Sequence, residues 1–320
     1  MNIEDIEIKK ELVVIFMGTP EFSVEVLDQL NKKYKVRAVV TKIDKPVGRK
    51  GIITKPPVKK YAEDHAMLVL QPTKIKDSVD EILSLNPDLI VTCAYGQILP
   101  KEILEYPRYG CINVHASLLP KLRGGAPIHR AILNDYKKTG ITIMYMAEGM
   151  DDGDIITQSE IEITDLDTAE TLHDKLSKLG ASLLVETLPK IIDGTCTRTK
   201  QNESEVTFGL NIKREDEKID FSKTKRQIYN QIRGLNSFPG AYCMMDGKIL
   251  KVWSSRITDN YYPEKFDGQI TNIYLDGIGV KVGNGEIVLT EIQPEGKRKM
   301  LAADYINGID KQALIGKILN

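Results

Sequence analysis

The sequence predicts an α/β domain built on a mostly parallel sheet, followed by a smaller antiparallel β-barrel domain. Three observations predict it. The chain has 320 residues, more than one hydrophobic core usually serves. Strand-sized apolar runs alternate with helix-like segments over the first part of the chain, the pattern of a right-handed parallel sheet. Beyond residue 235 the apolar runs become short and evenly spaced, with Gly and Asp between them, as in a small barrel.

Each element has its own reason. The continuous apolar run 12–17 reads as a strand covered on both faces. Gly18-Thr19-Pro20 stops it, with Thr19 able to cap and Pro20 able to open a helix whose Phe22, Val26, Leu27 and Leu30 recur at helical spacing. Further strands are expected at 36–41, 67–70, 89–94, 111–115, 141–146 and 155–163. A long helix is expected over 168–192, where Leu172, Leu176, Leu179, Leu183, Leu184 and Leu188 form one stripe. Residues 193–205 are polar and aperiodic and read as a linker. An amphipathic helix near 223–235 then precedes strand candidates at 241–245, 249–253, 268–273, 279–282 and 286–292.

A composition of 42% hydrophobic and 28% charged residues excludes a disordered tail, a collagen-like fibre and a disulfide-stapled miniprotein. The formal net charge of -1 provides no overall positive field, so an anionic partner must be held by a local patch. Residues 42–60 offer one: seven basic residues, Arg49 and Lys50 among them, against Asp44 alone. With its Pro and Gly content this stretch reads as a mobile loop, either a solvated surface or a polyanion contact. Lys297, Arg298 and Lys299 form a second, smaller cluster. Residues 1–11 have no apolar core of a secretory signal, no run is long enough to span a membrane, and Cys93, Cys111, Cys196 and Cys243 form no C-x-x-C pair. A cytoplasmic protein with reduced cysteines and no membrane association is expected.

Chemistry concentrates in two places. The turn at Gly18 lacks G-x-G-x-x-G and Pro20 removes an amide, so it reads as a strand-to-helix turn and not as a dinucleotide fingerprint. By contrast, Asn113 and His115 lie two apart at the end of an expected strand and point the same way, where open α/β sheets bind ligands. Together they could stabilise an oxyanion and manage a proton, or be a hydrogen-bonded core pair. The acidic turn 149–154 lacks the spacing of a calcium loop, and Asp151 gains interest only as a carboxylate partner for His115. His65, His129 and His173 show no zinc spacing and no Ser sits in a G-x-S-x-G elbow, so no metal and no serine hydrolase are expected.

Taken together, Phe16-Met-Gly-Thr-Pro-Glu-Phe22, Asp44-Lys-Pro-Val-Gly-Arg49, Ala94-Tyr-Gly96, Ile98-Leu-Pro100, Asn113-Val-His-Ala-Ser-Leu-Leu-Pro120, Arg123-Gly-Gly-Ala-Pro-Ile128 and the run 151–154 closely resemble the methionyl-tRNA formyltransferases. The resemblance runs from about Leu12 to about Leu319, with residues before Leu12 as an unmatched extension. The N-x-H-x-S-L-L-P block and the later Asp are shared with purine and sugar formyltransferases, so they speak for the chemistry and not for the acceptor. The loop through Arg49, together with Lys251-Val-Trp253 and Gly296-Lys-Arg-Lys-Met300, narrows the acceptor to tRNA. Lys42, Lys45 and Phe238 depart from the family pattern, where Gln, Arg and Trp are expected, and are read as tuning of the tRNA contact. The resemblance implies a Rossmann-like, folate-binding catalytic domain over 1–200 and an OB-like, tRNA-contacting barrel over 207–320. It implies transfer of a formyl group from 10-formyltetrahydrofolate to methionyl initiator tRNA, with no obligate protein partner. Asn113, His115 and Asp151 would be catalytic, Ser117, Leu118, Leu119 and Pro120 would contact the folate, and Arg49, Lys50, Lys297, Arg298 and Lys299 would contact tRNA. A sugar-nucleotide formyltransferase and an RNA-binding protein on an inactive scaffold remain as other readings.

Overall fold

A computed structural model describes residues 12–48 and 51–320. The chain forms two compact units. The first takes in the chain up to Pro127 together with Lys138–Glu162 and His173–Leu210, and the second takes Ile128–Lys137, Ile163–Leu172 and Asn211–Asn320.

The first unit is built on a seven-stranded sheet. Its strands are β1 (Val14–Gly18), β2 (Val36–Val40), β5 (Leu68–Leu70), β6 (Leu89–Cys93), β7 (Cys111–His115), β8 (Lys138–Tyr145) and β9 (Ile155–Glu162), a hairpin of β3 (Lys45–Val47) and β4 (Ile52–Thr54) standing apart. The spatial order is β5-β2-β1-β6-β7-β8-β9. Pairing is parallel from β5 to β7 and antiparallel for β8 and β9. Every residue of β1 and of β6 is buried, as the unbroken apolar runs require of strands covered on both faces. Ile15, Met17 and Ile90 pack on one face with Ile82, Leu99 and Ile103.

Helix α1 (Phe22–Lys33) follows β1 without help from Thr19, whose buried hydroxyl has no partner; Glu21 occupies the cap position. Gly18 is needed for packing: a Cβ there would lie 2.7 Å from the Phe16 ring and 2.9 Å from the Cys93 carbonyl. The basic stretch is not irregular as expected. Gly48 and Gly51, both with positive φ, turn β3 into β4, and helix α2 (Pro57–Asp64) follows directly. The long helix runs from Ala169 to Ile192.

The second unit is organised by an antiparallel sheet of β10 (Ala241–Met245), β11 (Lys248–Ile257), β14 (Gly285–Pro294), β13 (Ile278–Val282) and β12 (Ile270–Ile273) in that spatial order, with β15 (Met300–Leu301) on β14. The last residues link its two outer strands. Leu319 donates to Gly268 and Ile270 to Lys317 on the β12 side, while Met244 and Asn320 exchange backbone hydrogen bonds on the β10 side. No open edge remains between these strands at that point, which is how a barrel manages its edges. Inside lie Ile228 and Ile232 of a further helix (Lys225–Gly234), with Val252, Val280 and Leu289 of the sheet. That helix starts at a reciprocal capping box between Thr224 and Gln227.

Candidate functional site

Asn113 and His115 stand at the carboxyl end of β7, paired across to Met144 and Thr142 of β8. Their placement is fixed by neighbours. The Thr92 hydroxyl of β6 donates to Asn113 Oδ1 at 2.9 Å, which turns the amide nitrogen away from β6, towards Asp151 Oδ1 at 3.5 Å. His115 is buried, and its Nε2 lies 3.1 Å from the Leu122 carbonyl. A carbonyl only accepts, so Nε2 carries the proton and Nδ1 faces the other way. There it meets Asp151 Oδ2 at 3.7 Å. This separation is too long for a direct hydrogen bond and short enough for the carboxylate to act on a charge that forms on the ring.

Asp151 sits in a turn with little freedom. Its φ is 51°, in the left-handed region, and a Cβ on Gly153 would come within 1.9 Å of the Tyr145 carbonyl. The Gly124 amide donates to Asp151 Oδ2 at 2.8 Å. Thus the carboxylate is aimed from one side by the segment following β7, and the turn below it is held from another.

That other side is the stretch expected to be a linker. Residues 199–209 run across the site as a strap. Thr199 exchanges backbone hydrogen bonds with Ile155 at 2.8 and 2.9 Å, the Gln201 amide donates to the carbonyls of Asp151 and Gly153 at 2.8 and 2.9 Å, and Thr207 Oγ1 accepts from the Leu122 amide at 2.9 Å. Arg123, 5% exposed, reaches into the strap with Nε on Gln201 Oε1 at 2.9 Å and Nη2 on Glu203 at 2.8 Å. Sequence reasoning missed Thr92, Gln201 and Thr207. Their partners lie 21 to 85 residues away, and a single polar residue in an aperiodic stretch gives no local signal of that.

The Ser117–Pro120 segment lies immediately beyond His115. Ser117 is buried and its hydroxyl donates to the Lys121 carbonyl at 2.6 Å, while Thr142 and Gln158 hold the Leu119 amide and carbonyl at 3.1 and 2.9 Å. Leu118 and Pro120 are the half-buried members. Arg49 and Lys50 lie outside the described residues. Lys297, Arg298 and Lys299 are exposed on the turn between β14 and β15, where Lys299 pairs with Glu291 at 2.9 Å and lies 5.7 Å from the Trp253 ring. The remaining histidines have local roles: His65 stacks on Tyr61, His129 contacts the Gly234 carbonyl, and His173 packs on Phe22. Three of the four free cysteines are buried, and Cys196 is half-buried beside Tyr145. Among the described residues no His, Cys, Asp and Glu group could hold a metal ion, and no helix is long and apolar enough to cross a membrane.

A mostly parallel sheet followed by an antiparallel barrel is the frame in which Asn113, His115 and Asp151 come together. The family model for formyl transferase matches residues 10–188, and that for the formyl transferase C-terminal domain matches residues 211–310. A methionyl-tRNA formyltransferase of Bacillus licheniformis is 53% identical over 94% of this chain and 96% of its own length. One of a Geobacillus species is 53% identical over 95% and 96%. The chain belongs to the methionyl-tRNA formyltransferase branch of the formyl transferase family. The fold is also that of a solved N-formyltransferase from Helicobacter canadensis, in complex with folinic acid and dTDP-3-aminofucose. That structure is 22% identical, with a TM-score of 0.66 over 88% of this chain and 99% of the other.

Proposed function

We propose that this enzyme transfers the formyl group of 10-formyltetrahydrofolate to the α-amino group of methionine on initiator tRNA, in the cytoplasm. What carries the reading is the convergence of Asn113 and His115 on Asp151, at 3.5 and 3.7 Å, for the chemistry, and for the acceptor the 53% identity to a methionyl-tRNA formyltransferase over 94% of the chain. The attacking amine must be neutral, and an α-amino group with a pKa near 7.7–8.0 is partly so at neutral pH. No nucleophile of the protein is then required. What the site must do is align the reactants, stabilise negative charge on the formyl oxygen, and move one proton from the attacking nitrogen to the folate nitrogen that departs as the tetrahedral intermediate collapses.

Asn113 suits the second task. With Oδ1 engaged by Thr92, its amide N–H group is the part left to face a developing oxyanion. His115 and Asp151 suit the third: a proton arriving at Nδ1 makes an imidazolium whose N–H faces the carboxylate, and the carboxylate stabilises it. The bound folate supplies the formyl carbon. Leu118 and Pro120, half-buried beside His115, together with the backbone of Ser117 and Leu119, fit the contact with its ring system. Roles for residues 1–200 as the catalytic, folate-binding domain and 207–320 as the tRNA-contacting domain follow from the same reading. Arg49 and Lys50 would grip the acceptor end, and Lys297, Arg298 and Lys299 the phosphate backbone.

The test is single-turnover formyl transfer to charged initiator tRNA by the parent enzyme, His115→Ala, Asp151→Asn and the double variant. Each single change should lower the rate by about 10²–10³-fold, as loss of one transition-state partner does. The double variant should lose far less than the product of the two, because the pair acts as a unit. A parent-like rate in either single variant, or multiplicative losses, would contradict the assignment.

A further inference from the structure

The distance between the His115 imidazole and the Asp151 carboxylate is not set by either residue. His115 Nε2 is held by the Leu122 carbonyl, and the Leu122 amide is held in turn by Thr207. Asp151 is held at its side chain by the Gly124 amide and at its backbone by Gln201. Arg123 sits between Leu122 and Gly124 and closes the frame by donating to Gln201 Oε1. We propose that Gln201 is a positioning residue for the transfer reaction: its amide clamps the Asp151 turn and thereby sets the carboxylate at its working distance from His115. This rests on the reading of His115 and Asp151 as the proton-handling pair.

Three features point to positioning and not to packing. Gln201 is half-buried on an irregular segment, outside the apolar cores. Its side chain is saturated by chemistry that only an amide offers: both N–H donors reach carbonyls of one turn, at 2.8 Å to Asp151 and 2.9 Å to Gly153, while the oxygen accepts from Arg123 at 2.9 Å. Arg123 also fixes the amide's sense, since the flipped orientation would set Gln201 Oε1 against two carbonyl oxygens. The turn so clamped carries a non-glycine residue at φ 51°, a conformation that persists only where the surroundings impose it. Releasing the clamp lets the carboxylate retreat, and displacements near 1 Å cost on the order of 10²-fold in rate.

Two variants separate the possibilities. Gln201→Met keeps the length of the side chain and removes all donors. Gln201→Glu keeps a partner for Arg123 and places oxygens against the two carbonyls. For both, single-turnover transfer at saturating 10-formyltetrahydrofolate and charged initiator tRNA should fall about tenfold or more. The pH profile of the rate should be displaced, and the dissociation constants of both substrates should stay within about threefold of the parent. In an Asp151→Asn background, Gln201→Met should cost less than about twofold more. A parent-like rate and pH profile in either variant would overturn the inference. So would a loss that only tracks thermal stability, or one that multiplies with Asp151→Asn. Should Gln201→Met fail to fold, the isosteric Gln201→Glu carries the test. The two readings fail separately: parent-like transfer by Asp151→Asn itself removes the pair, whereas a slow Asp151→Asn beside parent-like Gln201 variants removes only the clamp.

Discussion

A polar side chain set into the fold is defined by what its partners leave it able to do. Asn113 and Glu286 show the two extremes. Asn113 has its oxygen engaged by Thr92 and keeps its N–H donors directed at the site, so the same hydrogen bond that satisfies the residue also orients it for chemistry. Glu286, on the face of β14 opposite Ile287 and Leu289, has nothing left over: Thr258, Asn260, Thr271 and Tyr274 all donate to its fully buried carboxylate. Burial pushes its pKa up, but the four donors outweigh burial and hold it below the usual carboxylate value. A group depressed in the folded state stabilises the protein above its unfolded pKa, about 4.3 for Glu, and that stability is lost as pH falls through the folded value. Thermal melts from pH 7 to pH 3 should therefore show a steeper acid-side loss for the parent than for Glu286→Gln, with the variant the less stable of the two at pH 7. Parallel curves would remove Glu286 from the acid sensitivity.

At the scale of elements, what the sequence discloses depends on where the partners are. The strand at 111–115 has the same bounds in sequence and structure because its apolar run is broken only by Asn113 and His115. β11 and β14 each run to ten residues, beyond the expected 249–253 and 286–292, because pairing with each other carries polar Ser254, Arg256 and Gln293 into the ladder. The hairpin of β3 and β4 escaped notice because strands of three residues, one with Pro46, carry no period. The site divides in the same way. Strand alternation sets Asn113 and His115 on one face and the resemblance adds Asp151, but the strap that hydrogen-bonds to Leu122 and the Asp151 turn is not legible, since long-range hydrogen bonds leave no repeat in the sequence. The turn between β14 and β15 presents three exposed basic residues in a row, and a phosphate contact there has a measurable consequence. Replacing Lys297, Arg298 and Lys299 together by Ala should weaken tRNA binding and reduce the slope of log affinity against log salt by up to about three, as three lost phosphate contacts require. An unchanged slope in a filter-binding titration would take this turn out of the interface.

For the whole molecule, a formal net charge of -1 means that tRNA cannot be drawn by overall charge. In the proposed function local positive segments would do it, and the chain offers two: the stretch 42–60 with its exposed hairpin, and the 297–299 turn. Within the first segment, Lys55 and Lys59 are engaged by Glu63 and Asp44, so part of its charge holds the fold of the segment itself. The formyl-transfer chemistry is common to enzymes with different acceptors, and in the proposed function these basic segments would direct it to a polyanion. The most direct measurement offers the enzyme formyl-labelled 10-formyltetrahydrofolate with an equimolar mixture of charged initiator tRNA and an amino-sugar nucleotide, and then locates the label. The account predicts label on the α-amino group of methionine in the tRNA fraction, abolished by prior deacylation of the tRNA. Label on the sugar nucleotide, or on neither acceptor, would contradict it.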